Sequence, residues 1–245
     1  MVHEIEQVRK ELTSNGTLRV GLNLANFLLI NPGTAPGVHE GIVPDLAQEL
    51  AKELNVSLKF VPFSSPGPLG DAVDQNVWDL AFLADEPARA QTIFFSPAYL
   101  EIQASYLVPD ASPFAEVSDV DQPGVQIAAM EGGAYTLFLK RNLKHAKLVL
   151  APTIDESFKV FAEQGLQALS GLRPRLLTDQ TKLHGSRILP GYFTSVQQAV
   201  ATSHKNVAAA AYLSDFVKRA QVSGTIQAAI DRHAVVGVNV APVKR

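Results

Sequence analysis

Cysteine is absent from this 245-residue chain, which removes disulfide frameworks, thiolate metal sites and thiol nucleophiles. Its absence fixes no compartment, because exported proteins also do without it. Long apolar runs are missing too. The longest candidates, Phe27–Ile30 and Val207–Leu213, fall far short of the ~18 residues of a membrane span. There is no excess of charge of one sign: 21 Lys and Arg face 24 Asp and Glu, the net charge is −3, and the basic residues are scattered. With a pI near 6.1 this argues against a nucleic-acid partner, and no aromatic-plus-basic stacking platform is present.

Motifs that announce chemistry are also lacking. The chain has no G-x-G-x-x-G, Walker loop, G-x-S-x-G or H-E-x-x-H. Its histidines (His3, His39, His145, His184, His204 and His233) never stand three or four residues apart, so no helical metal site is expected and each reads as a surface or cap residue. Acid pairs such as Asp85 and Glu86 usually serve a helix dipole. No positive signal for catalysis, metal or cofactor emerges. The N-terminal stretch MVHEIEQVRKELTSNG alternates charged and apolar residues like a short surface helix stopped at Asn15-Gly16. It has no apolar h-region and does not read as a signal peptide. The expectation is a periplasmic protein whose leader has been removed, or one that is never exported.

What is present is ordinary globular composition, 47% hydrophobic and 18% charged, arranged as α/β units. Leu18–Leu22 reads as a buried strand followed by an irregular loop. Pro44 and Asp45 open a helix with Leu46, Leu50 and Leu54 on one face, and Asn55 ends it. Val56, Leu58 and Phe60 alternate as a strand, residues 66–70 read as a turn, 72–75 as a short helix, and 77–84 as the next strand. A second round follows, with strands near 125–129 and 148–150, helices opening at GGAY and over 154–164, and a short apolar run at 166–169. Helices near 207–220 and 226–233 close the chain. Strand–helix alternation indicates mostly parallel sheets, and neither round is large enough to be the whole protein. Two lobes sharing a waist fits better than beads on a string.

One residue poses the functional question. Arg89 stands just past the apolar run Leu80–Ala84, ahead of the turn FFSPAY. It could pair on the surface with Asp85 or Glu86, an interaction worth only ~0.3–0.5 kcal/mol. It could instead grip a ligand carboxylate, for which a guanidinium fork supplies two parallel charge-assisted bonds. Gly132 and Gly133 pose a similar choice between a plain strand-to-helix turn and backbone amides aimed at an anion.

The order of the pieces resembles the family 3 extracellular solute-binding proteins, polar amino acid receptors of ABC importers. LRVGLN, ending in Asn23, resembles the family's opening strand and cleft loop. GIVPDLAQELAKELNVSLKFVPF resembles its first helix and second strand, and VWDLAFLADEPARAQTIFFSPAY its strand, arginine and F-S-x-P-Y-like turn. AAMEGGAYTLFL stands where the family opens a helix in its second lobe. The resemblance implies a two-lobed type 2 periplasmic-binding fold, each lobe a mostly parallel sheet flanked by helices. Lobe 1 would comprise residues 1–105 and 195–245, and lobe 2 residues 106–194, joined by crossings at 105–109 and 193–198. It also implies a ligand held between the lobes by hinge closure, with Arg89 on its carboxylate, an ABC permease as partner, and a monomer.

The departures from the family pattern sharpen the ligand. Phe82 and Ala84 stand where the family has hydroxyls, Gly133-Ala134 where it has Thr-Thr, and Asn26, beside Phe27, where it has a stacking aromatic. The position of the acid that receives the ligand's ammonium falls on Leu172, followed by Arg173 and Arg175, and no acid lies between Gly165 and Thr178. The implied ligand is a small anionic organic molecule, an organic acid or an amino acid, and the departures favour a carboxylate without an α-ammonium. The arginines could instead face away while Asp155 or Glu156 supplies an acid. Two alternatives stay open: an enzyme resembling the cyclohexadienyl dehydratases, which act on prephenate or arogenate with a cleft acid, and a sensing domain without transport. No turnover is expected.

Overall fold

The computed structural model describes residues 2–13, 15–35 and 37–243. The side chains of residues 2–4 lie outside the description, and with them the reading of His3. The chain divides into two compact units: Met1–Glu101 with Gln197–Arg245, and Ile102–Val196.

Unit 1 opens with helix α1 (Val2–Leu12), strand β1 (Thr17–Asn23) and a small hairpin of β2 (Asn31–Pro32) and β3 (His39–Glu40). Helix α2 (Ile42–Leu54), β4 (Ser57–Phe63), α3 (Pro66–Asp71), β5 (Leu80–Ala84) and β6 (Ile93–Phe95) follow. Strand β7 (Leu100–Pro109) begins in unit 1 and ends in unit 2. Unit 2 continues with β8 (Gln126–Met130), α4 (Ala134–Asn142), β9 (Lys147–Ala151), α5 (Ile154–Gln164), β10 (Ala168–Leu172), α6 (Arg173–Lys182) and β11 (Ser186–Ile188). Strand β12 (Thr194–Ser203) returns the chain to unit 1, which ends with α7 (Val207–Val222), α8 (Thr225–Arg232) and β13 (Asn239–Val240).

In unit 1, β1 lies between β4 and β5, parallel to both. Strand β12 pairs antiparallel with β5, bringing Gln198 opposite Ala84. All five residues of β5 are buried, as a continuous apolar run predicts for a strand covered on both faces. Helix α2 covers the sheet with Leu46, Leu50 and Leu54, each worth ~1.5–3 kcal/mol on burial. It begins at Gly41, whose φ of 129° and contact with the Leu29 carbonyl leave no room for a side chain. It stops at Asn55 in the left-handed conformation, as the sequence predicts. Asp79 fastens the amino end of β5 to β1: its carboxylate accepts from the Arg19 backbone N–H at 2.7 Å and from the Arg19 guanidinium at 2.6 and 3.0 Å. The opposite, carboxyl edge of these strands is left to the loops.

In unit 2, β8 lies between β9 and β10, parallel to both, and β7 pairs antiparallel with β10. Period-two alternation sorts the residues onto two faces. Tyr106, Val108, Ile127 and Ala168 enter one core with Leu139 of α4, whereas Leu107, Ala128 and Leu169 enter another with Phe161 and Leu176.

Three local readings change. Residues 66–70 form the body of α3, because Pro66 occupies a first-turn position where its missing N–H costs nothing. Helix α6 was not legible, since RPRLLTDQTK carries only a weak apolar stripe. Helix α1 is more than a surface helix: Val8 and Leu12 are buried, and the Glu11 carboxylate accepts from the Ala209 N–H in the first turn of α7.

Candidate functional site

Two strand edges carry the candidate residues. In unit 1, the parallel pairs Val20↔Leu80 and Gly21↔Ala81 set β1 and β5 side by side, and Asn23 and Ala84 are the last residues of these two strands. The Asn23 side chain closes the loop by accepting from the Ala25 N–H at 3.2 Å. Asn26 anchors the next turn, its carbonyl accepting from Leu29 and Ile30. The Asn26 side-chain oxygen is buried and has no hydrogen-bond donor among the described residues, an acceptor left open beside this edge. Phe27 is 36% exposed. Phe82 is enclosed, edge-on to Tyr99 with ring centroids 5.6 Å apart, which makes it a packing residue of unit 1.

Arg89 opens a 3-10 turn immediately past β5. Arg89 is only 9% exposed and Glu86 only 2%, so the two are buried residues rather than surface ones. Its Nη1 donates to the Ala84 carbonyl at 3.3 Å, and its stem lies along Gly70 of α3. Burial pushes the guanidinium down to about 10, against the opposing pull of Asp71. The fold therefore holds this cation at an electrostatic cost. Neither Asp71 nor Gly70 was singled out from the sequence. They stand far from Arg89 along the chain, and only the β1–β5 packing brings α3 behind it.

In unit 2, the adjacent parallel strands β8 and β10 end at the same edge, each running into a helix. Gly132 turns the chain with φ of 72°, Gly133 is the N-cap of α4, and Ala134 its first residue. The buried Thr136 hydroxyl donates to the Met130 carbonyl at 2.7 Å, tying α4 to the end of β8. Leu172 is the N-cap of α6, with no side-chain cap. Arg173 is the first residue of α6 and donates to the Gly191 carbonyl at 3.0 Å.

Arg175 is taken up by carboxylates of its own unit. Its Nε reaches both Asp179 oxygens at 2.9 Å and its Nη2 reaches Asp155 at 2.5 Å. Burial pushes this guanidinium down, but the two acids outweigh it and its pKa is raised. Asp155 is thus engaged with Arg175. The partner Asp179, four residues along one helix face, was the findable signal once α6 is recognised. Among the described residues no group of three or more potential metal ligands occurs, and no helix is long and apolar enough to cross a membrane.

Comparisons with known proteins agree with this architecture. The chain is 28% identical over 179 residues to the cyclohexadienyl dehydratase of Pseudomonas aeruginosa, an alignment covering 71% of this chain and 65% of that protein. It therefore spans about 65% of the length of the curated relative it matches. An amino acid ABC transporter substrate-binding protein from Streptococcus pneumoniae, bound to L-arginine, superposes with a TM-score of 0.73 at 20% identity, over 97% of this chain and 99% of that one. A histidine kinase sensor domain with similarity to periplasmic binding proteins gives 0.75 at 17% identity, over 92% and 98%. At such identities the two structures speak for the fold alone, the type 2 periplasmic-binding fold. The pattern that defines the bacterial extracellular solute-binding proteins, family 3, matches residues 27–235, and the chain belongs to that family.

Proposed function

We propose that the protein binds a small organic carboxylate outside the cytoplasm and delivers it to an ABC permease, with hinge closure as the accompanying motion and no catalysis. One observation carries the reading: Arg89, buried at the carboxyl edge of β5, is held as a cation against the cost of burial. A ligand carboxylate would relieve that cost through charge-assisted bonds. Unit 2 by itself presents the starts of α4 and α6 at one edge, with Gly132, Gly133 and Ala134 on one and Leu172 and Arg173 on the other. By the family resemblance the position that receives an ammonium falls on Leu172, and Asp155 is engaged by Arg175. This supports a hydroxy, keto or aromatic acid over an amino acid.

Two measurements test the reading. Mass spectrometry of the small molecule that co-purifies should find a carboxylate, and solution scattering should give a more compact particle when it is bound. A thermal-shift panel should pair each amino acid with the acid lacking its amino group. Larger shifts from the amino acids would overturn the ligand class.

The similarity to cyclohexadienyl dehydratase favours a second reading, an enzyme on this fold. Leu172 argues against it, because expelling a hydroxyl needs a positioned acid. Release of phenylpyruvate from prephenate by the purified protein would decide for the enzyme.

A further inference from the structure

Strand β12 runs beside β5 within unit 1 and sets one buried polar residue, Gln198, against its last position. The Asp85 N–H donates to the Gln197 carbonyl at 2.8 Å, which makes 85 and 197 a hydrogen-bonded pair of this antiparallel ladder. Ala84 and Gln198, one step inward, therefore form a non-hydrogen-bonded pair, whose Cα atoms approach to ~4.5 Å and whose side chains share one face. The Gln198 carbonyl agrees, turned away from β5 to accept from the Tyr99 N–H at 2.8 Å. Opposite Gln198 stands only the methyl group of Ala84, so the amide can lie over it. The same alternation turns the Ala84 carbonyl away from β12, and there it accepts from Arg89 Nη1 at 3.3 Å. Cation and amide thus flank the end of β5, each roughly one strand spacing to its side, about 10 Å apart. Other glutamines of unit 1 spend their amides on the fold: Gln197 donates to Glu101 at 3.1 Å, and Gln221 to the Ala98 and Ala241 carbonyls at 3.0 and 2.8 Å. Gln198 is 5% exposed, and among the described residues no hydrogen bond engages its side chain. Such an amide costs free energy until a partner reaches it.

We infer that Gln198 is a second ligand-recognising side chain, whose amide hydrogen-bonds an oxygen on carbon 2 or 3 of the acid held by Arg89. The inference rests on the carboxylate reading and narrows it to hydroxy and oxo acids. With a hydrogen bond of ~2.9 Å at either end, about 4 Å remains between the two ligand oxygens. That is the span from a carboxylate oxygen to an oxygen one or two carbons away. An amide both donates and accepts, so it serves a hydroxyl and an oxo group alike, but it brings no charge to offset an ammonium.

The experiment is calorimetry on the full chain with two matched sets of acids. One is butanoate with its 2-hydroxy, 3-hydroxy and 2-oxo forms, the other 3-phenylpropanoate with its 2-hydroxy and 2-oxo forms. In the parent an oxygenated acid should bind about fivefold more tightly than the plain acid of its set, the worth of one hydrogen bond. Gln198→Leu should bring that ratio close to one. Without ligand it should melt at or above the parent's temperature, because the amide it removes has no partner in the fold. Gln198→Asn keeps the amide but withdraws it by one methylene; it should also lower the ratio, and it carries the comparison if Gln198→Leu does not fold. A ratio of one in the parent, or a parent-like ratio in the variants, would overturn the role of Gln198 and leave the carboxylate reading standing. Failure of every acid in both sets to bind would overturn the carboxylate reading and the role of Gln198 with it.

Discussion

Arg89 and Arg175 occupy similar places in the two units, each a few residues past a buried strand, yet the protein treats them in opposite ways. Arg175 is gripped by Asp155 and Asp179, and its charged form is favoured. Arg89 is set against the Ala84 carbonyl with Asp71 as its electrostatic companion, and its charged form is disfavoured. An arginine whose charged form is favoured by its neighbours consolidates its unit. One whose ionisation is opposed by its surroundings gains most from an anion that arrives later.

The largest expected effect breaks the contrast at Arg89. Arg89→Ala should weaken carboxylate binding by a hundredfold or more, since each charge-assisted bond is worth ~1.5–3 kcal/mol. Arg89→Lys should recover only part of this, because an ammonium lacks the planar fork. Calorimetry with the co-purifying acid reads both, and parent-like affinity in Arg89→Ala would return Arg89 to a structural role.

Next comes the converse change, which makes unit 2 resemble unit 1. Asp179→Ala leaves a largely buried guanidinium short of its bidentate partner and should cost about 3 kcal/mol. For a chain of this size that corresponds to a melting temperature lower by roughly 6–12 °C, with ligand affinity nearly unchanged. Scanning calorimetry with and without ligand separates the two quantities.

A smaller effect follows from giving the second edge an acid. Leu172→Asp supplies α6 with a side-chain N-cap and the edge with a negative charge. It should move preference about tenfold toward amino acids over their deaminated partners, read from the matched thermal-shift pairs. No change in preference would show that Leu172 does not face the ligand.

The smallest effect concerns stability alone. Holding Arg89 charged costs on the order of 3 kcal/mol at neutral pH, since burial brings it from the ordinary arginine value down to about 10. Arg89→Met should therefore melt within about 1 kcal/mol of the parent or above it. The sign has a pH signature. Below the folded value both folded and unfolded chains carry the proton and the cost is present in full. Between about 10 and the ordinary arginine value the unfolded chain binds more protons, so the parent gains stability relative to Arg89→Met as pH rises. A relative loss across that window would contradict the burial argument.

The sequence made legible those elements whose signal is local. The leucine stripe of α2, its stop at Asn55 and the apolar run of β5 each encode their structure within a dozen residues. Helix α6 hid behind polar residues because most of its surface faces water, and only Leu176 and Asp179 are buried. Arg89 could be found but not interpreted: its burial depends on α3, which the sequence pattern leaves as a turn.

Strand β12 has a consequence for how the protein is made. It pairs with β5 and β6, and Gln198 lies opposite Ala84, yet it follows all of unit 2 in the chain. On the ribosome unit 2 is complete, and free to condense, while unit 1 still lacks a strand that closes its sheet and its last two helices. Emerging chains will therefore display the edge of β5 as an unpaired template until residue 203 has left the exit tunnel. During that interval a chaperone, or a second nascent chain, competes for the strand edge beyond which Arg89 will settle.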